Sequence, residues 1–404
     1  MAYPNFIPLE GVVQDYAWGG YYFIPELKGK ENTAEQPQAE LWMGAHNRGP
    51  SLMQINGYSQ RLDDWIASDP EQILGKRVAH RFQNSLPFLF KILDVRKMLS
   101  IQAHPTKGAA VAGFQRENER GIPLTAHHRN YKDDNHKPEI MVALTDFWLL
   151  HGFRTAEAIA QVLEEVPELN IFRKVFAQKG IRGLYRYLME LSQDEVDRTL
   201  APMAARLEAD LSAEVLERSQ PEYWAAQAFL DYTRDGHYDR GIFSIYLFNL
   251  VNLKTGEGIF QDANIPHAYL EGVNVELMAN SDNVFRGGLT AKHVDVGELM
   301  QHLSFDPVVP QPLQGETGVA HELIFKTPAP DFELSRIQLG IGEMYQKSQH
   351  GPAIYIVLSG EINSEAGEFG KGDIWFSPHG AEVVFTGLKE AVVFKAGIPD
   401  VVML

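Results

Sequence analysis

The chain has no cysteine among its 404 residues. That excludes a disulfide scaffold, a cysteine-held iron–sulfur cluster, a thiolate zinc site and a cysteine nucleophile. Any metal must then be bound by His, Asp, Glu, Gln or Asn. Positive charge is also short: 36 Lys and Arg stand against 53 Asp and Glu, a formal net charge of −17. Such a surface repels nucleic-acid phosphates and anionic membranes, so neither partner is expected. Long hydrophobic runs are missing too. The longest, Phe243 to Leu253, is interrupted by polar residues and falls short of the ~20 apolar residues needed to cross a bilayer. The first residues lack the charged start and apolar core of a signal peptide. A soluble, cytoplasmic protein is expected. GxGxxG, Walker, GxSxG and HExxH motifs are absent, which leaves nucleotide binding and serine hydrolysis without support.

What is present is an ordinary globular composition, 45% hydrophobic and 22% charged. At ~150 residues per domain, the length predicts about two to three domains. Residues 1–153 read as strands and turns, with turn signals such as Asn56-Gly57 and helices near Leu62 to Asp69 and Pro70 to Leu74. From Thr155 the apolar spacing becomes helical, with Thr155 as an N-cap, and a helical block fills 154–240. Strand texture returns over 241–318, with Phe243 to Leu253 and Gly258 to Leu270 read as strands. Residues 319–404 carry short strands about ten residues apart, the pattern of a β-sandwich or barrel. The predicted fold class is therefore mainly β with a helical insertion.

Three segments place ligand-competent residues inside strand-like sequence. In Leu99-Ser-Ile-Gln-Ala-His-Pro105, alternation puts Ser100, Gln102 and His104 on one face. In Asn135-His-Lys-Pro-Glu139, Pro138 forces Lys137 into an extended conformation, so Lys137 and Glu139 share a face and His136 takes the other. A carboxylate opening the apolar run Ile140 to Leu144 needs a counter-charge. The third segment, from Ile265 to Lys292, carries His267, Glu276, Asp282, Arg286 and Lys292. Together Gln102, His104, Glu139 and His267 offer neutral nitrogen and oxygen ligands with one negative charge. That set suits zinc, manganese, iron or cobalt about equally. Lysines and arginines lie in and near these segments, Lys91 and Lys107 among them, a bias expected either of an anionic ligand site or of a scatter of solvated surface charges.

The motifs Tyr131…Asn135-His-Lys-Pro-Glu139 and Pro266-His-Ala-Tyr-Leu…Glu276…Ser281-Asp-Asn-Val-Phe-Arg286…Gly288-Leu-Thr-Ala-Lys292 resemble the two signatures of the type I phosphomannose isomerases. Leu99 to Pro105, Tyr16-Ala-Trp-Gly and Ala39-Glu-Leu-Trp-Met-Gly-Ala-His46 resemble other segments of that family. The resemblance spans roughly residues 10 to 300. It implies a cupin (jelly-roll) catalytic domain holding one zinc, an all-α inserted domain and a second, metal-free cupin-like β-barrel. It implies zinc ligands Gln102, His104, Glu139 and His267, a catalytic Arg286, and substrate-phosphate contacts from Ser100 and Lys292. Lys91, His136, Lys137, Glu276 and Asp282 match further active-site positions. The implied reaction interconverts mannose 6-phosphate and fructose 6-phosphate through a cis-enediol, in a chain that acts as a monomer. Lys137 is the favoured base, because nearby cations favour a neutral amine. Phe285, Gly287 and Ala291 depart from the family pattern without removing a ligand. The competing readings are a metal-cupin oxygenase, which Gln102 in place of a third His disfavours, and a non-catalytic sugar-phosphate-binding protein.

Overall fold

The computed structural model describes residues 3–55 and 57–400. Asn56 of the expected Asn-Gly turn, residues 1–2 and residues 401–404 lie outside the described residues. The chain is mostly β, in several antiparallel sheets. One sheet of ten strands carries the site. Its spine runs Phe248–Leu253, Phe147–Phe153, His267–Ala279, Phe88–Val95, Glu40–Gly44 and Val12–Gln14. Two side branches, Gln102–Ala103 with Phe285–Arg286 and Glu139–Ala143 with Gly258–Gln261, attach to the long strand His267–Ala279.

Alternation along these strands explains two environments. Phe88, Phe90 and Ile92 point into a core shared with Leu41, Met43, Ile140, Val142, Val275 and Leu277. Side chains of the C-terminal strands, including Leu334, Ile354, Ile356, Phe376 and Phe394, close the same core. The intervening residues Leu89, Lys91 and Leu93 face the other way, and that face carries the charged groups. The N-terminal strand Ile7–Glu10 joins the C-terminal sheet, pairing with Ile374–Ser377 on one side and Leu52–Ile55 on the other.

The expected helices at Leu62–Ser68 and Pro70–Leu74 form, and Thr155 caps Ala156–Glu165 by accepting from Ala158 N at 3.2 Å. Helices Arg173–Glu190, Gln193–Ser212 and Pro221–Tyr232 fill the predicted block, burying Leu184, Leu188, Leu200, Leu207 and Trp224 in one core. Three readings need correction. Phe243 to Leu253 is not one strand: Ile242–Leu247 is a helix buried on every side, and only Phe248–Leu253 is extended. Burial overrides the β-propensity of Ile, Phe and Tyr there. Gly258 to Leu270 breaks after Gln261 and resumes at His267. Helix Lys107–Glu119 is an addition, because its weak amphipathicity gave no periodic signal.

The long strand contains one irregularity that shapes the site. Its pairing with Phe147–Phe153 slips between Tyr269 and Glu271, leaving Leu270 as a bulge. Gly272 follows at φ 129°, where a Cβ would lie 2.6 Å from Phe147 Cδ2. The slip changes which residues face the site: odd-numbered His267 and Tyr269 before it, even-numbered Asn274 and Glu276 after it.

Candidate metal centre

Two loops are fastened together by Asn283. Its side-chain oxygen accepts from Lys132 N at 2.7 Å, and its amide donates to the carbonyls of Asp133 and Asn135 at 2.8 Å. The Asn283 carbonyl accepts from His104 Nδ1 at 2.8 Å, and the Ile265 carbonyl accepts from His267 Nδ1 at 3.0 Å. A carbonyl can only accept, so Nδ1 carries the proton in both rings and each Nε2 keeps a lone pair. Both lone pairs face one carboxylate: His104 Nε2 is 3.4 Å from Glu139 Oε1, and His267 Nε2 is 3.3 Å from Glu139 Oε2. All three residues are buried, with their ligand atoms within 4.8 Å of one another. His104 Nε2 has no hydrogen-bond partner. Burial, above all, holds the His104 pKa down to about 4, so the ring stays neutral. Two lone pairs aimed at a carboxylate repel it unless a cation lies among them. The donor set therefore fits a divalent metal.

Charged neighbours complete the site. Lys137 Nζ lies 2.9 Å from Glu139 Oε1. Burial alone would raise the Glu139 pKa, but Lys137 and then His104 hold it well below the usual carboxylate range. Lys91 Nζ lies 2.9 Å from Glu276 Oε1 and 3.4 Å from Glu40 Oε2, and Trp42 Nε1 donates to Glu40 at 2.5 Å. Burial raises the Glu276 pKa against the pull of Lys91. Gln102 stands opposite His267 on one neighbouring strand and opposite Arg286 on the other. Directly opposed residues share a face, so these three side chains line one side of the sheet. Arg286 is half-buried, and its side chain makes no ion pair or hydrogen bond among the described residues. Burial lowers its pKa without a counter-ion to offset it.

Two relatives decide the family, and a family model agrees with them. A mannose-6-phosphate isomerase of Salmonella typhimurium is 40% identical over 86% of this chain and 88% of its own length. One of Rattus norvegicus is 34% identical over 99% of this chain and 97% of its own. The family model for the phosphomannose isomerase type I catalytic domain matches residues 6–156. The chain belongs to the type I phosphomannose isomerases. This is an enzyme family, and its members named here are aldose–ketose isomerases. Among solved phosphomannose isomerases, the Salmonella typhimurium enzyme bound to fructose 6-phosphate and zinc superposes with a TM-score of 0.87 at 35% identity, covering 98% of this chain and 99% of that one. A second, zinc-bound mannose 6-phosphate isomerase structure gives a TM-score of 0.86 at 34% identity, again over 98% and 99% of the two chains.

The structure brings His104, Glu139, His267 and Lys137 together, with Gln102 and Arg286 on the same face and the Lys91–Glu276 pair beside them. It leaves others apart from the cluster. His136 Nε2 is tied to Asp331 Oδ2 at 2.8 Å. Asp282 is held by Arg48 at 2.5 Å and faces His46 at 3.6 Å. Ser100 is half-buried, and Lys292 is exposed. Partial desolvation, then Arg286 and Arg48, lower the Lys292 pKa, so these three cations share one region. Sequence reading gave no role to Glu40, Trp42, His46 or Arg48. The available signal was Glu40 and Trp42 alternating within the otherwise apolar strand Glu40–Gly44.

Proposed function

We propose that this chain interconverts mannose 6-phosphate and fructose 6-phosphate with one zinc ion. The observation that supports it most is the pair of imidazole lone pairs converging on Glu139, in a chain whose relatives carry that name. Gln102, His104, Glu139 and His267 would hold the metal. When bound, zinc supplies positive charge where the substrate oxygens become negative.

The remaining work falls to side chains. Arg286, free of any counter-ion, stabilises the developing cis-enediolate oxygens. Lys137, buried beside Glu139, carries the proton between C1 and C2. Lys91 and Glu276 form a fixed pair that orients the sugar hydroxyls. Ser100 and Lys292 hold the phosphate, with Arg48 adding charge at the rim, and this remote binding orients the reacting end. His136 and Asp282 act through their partners Asp331 and Arg48, shaping the cleft wall. We read the layout as a cupin catalytic domain from 1–153 and 241–318, a helical insertion over 154–240 and a cupin-like β domain over 319–404. Among the described residues no helix is long and apolar enough to cross a membrane.

The test is conversion of mannose 6-phosphate to fructose 6-phosphate before and after chelation, with zinc add-back. Loss on chelation and recovery with zinc supports the proposal. Purified, zinc-loaded protein that converts neither sugar overturns it.

A further inference from the structure

Two polar side chains beside the metal centre have no part in the reaction proposed above. His151 stands directly opposite His267, on the side away from Gln102. Gln261 stands directly opposite Glu139. The two are hydrogen-bonded to each other, His151 Nδ1 to Gln261 Oε1 at 2.7 Å. Both are buried, His151 at 6% exposure and Gln261 at 0%. Their strands, Phe147–Phe153 and Gly258–Gln261, do not pair with each other. Glu139 and His267 likewise have no backbone pairing: Glu139 is opposite Met278 and Gln261, and His267 is opposite Gln102 and His151. The backbone ladders join these two residues only indirectly, through Met278 at the far end of the strand that begins at His267, so side chains complete what fixes their separation.

We infer that His151 and Gln261 act as one positioning pair, which fixes Glu139 and His267 relative to each other and so sets how tightly the site binds its metal. The inference rests on the zinc-dependent reading above. The pair closes a ring: Glu139, its cross-strand neighbour Gln261, the hydrogen bond to His151, that residue's cross-strand neighbour His267, and back to Glu139 at 3.3 Å. Gln261 Oε1 accepts, so His151 Nδ1 donates and the ring has a defined tautomer. Gln261 Nε2 is buried and has no acceptor. A buried amide donor left unpaired is costly in an apolar wall, where Leu or Met would fill the same volume. Here it sits across the strand pair from a carboxylate. Neighbours that orient the ligands of a metal in this way typically change its affinity by about 10- to 100-fold.

The experiment measures zinc affinity on the full chain by competition with a chromophoric chelator. Gln261→Met, His151→Phe and the double variant are compared with the parent, and the melting temperature of each zinc-free protein serves as the folding check. Each single change weakens zinc binding about 10- to 100-fold without lowering the zinc-free melting temperature to match. The double variant loses no more than the larger single loss, because one hydrogen-bonded unit is broken in every case. Singles that bind zinc like the parent overturn the inference, as do losses that multiply in the double variant. If Gln261→Met does not fold, His151→Phe alone decides by the same affinity and melting readings. A parent protein that binds no zinc overturns the zinc reading itself. A parent that binds it while the variants match overturns only the pair.

Discussion

Gln102 and Arg286 stand directly opposite each other on the short strands Gln102–Ala103 and Phe285–Arg286, so an expected metal ligand and an unpaired guanidinium share one face. The guanidinium has no anion among the described residues to neutralise it. Its position suits an oxygen that becomes negative only during reaction.

Replacing Arg286 with Ala therefore lowers kcat by about 100- to 1,000-fold, the usual effect of removing one preorganised charge donor. Zinc content, measured by elemental analysis, stays near the parent's, because Gln102 still has His267 as its other neighbour. An active Arg286→Ala enzyme removes the residue from its catalytic role.

Metal removal has a stability readout as well. A ligand that binds only the folded chain stabilises it by about 2.7 kcal/mol at a hundred times its Kd. Zinc at that excess raises the melting temperature of the native protein. It leaves His104→Ala unmoved, since one of the two converging lone pairs is gone. An equal shift in both proteins places the stabilising zinc elsewhere.

Lys91 is buried between Glu276 at 2.9 Å and Glu40 at 3.4 Å. Lys91→Met leaves two buried carboxylates without their cation and destabilises the fold by about 3–5 kcal/mol in urea unfolding. The triple change with Glu40→Gln and Glu276→Gln recovers most of that loss. A Lys91→Met loss below about 1 kcal/mol, the value of an exposed pair, contradicts the burial argument.

Acid acts on the imidazoles. Burial is the first cause that holds His46, His104 and His151 down to about 4 from an ordinary 6.5. Between those values the unfolded chain binds protons that the folded chain refuses. Zinc-free protein is thus most stable above about 6.5 and loses stability as pH falls toward about 4. Urea midpoints at pH 7, 5.5 and 4.5 read this directly, and a flat series refutes it.

Much of the metal centre was legible because polar residues inside apolar strands demand an explanation. The extended geometry before Pro138 placed Lys137 and Glu139 on one face, and they meet at 2.9 Å. Alternation placed Gln102 on the site face, and the register sets it beside His267. Contacts closed over long sequence separations were not legible. Lys91 meets Glu276 across 185 residues, and nothing local marks either as the other's partner. His136 looked like a site residue by position, yet its ring is bound by Asp331 from a distant part of the chain. The helix Ile242–Leu247 was missed because a segment buried all round has no polar face to reveal its period.

The extra residue at Leu270 makes the spacing between His267 and Glu276 a counted quantity. The two lie an odd number of positions apart, so a regularly pleated strand of this length would turn Glu276 toward the oily interior, and the bulge is what keeps it on the side of His267. Straightening the strand without shortening it would therefore separate the two halves of the site, whereas a substitution that keeps the bulge would not.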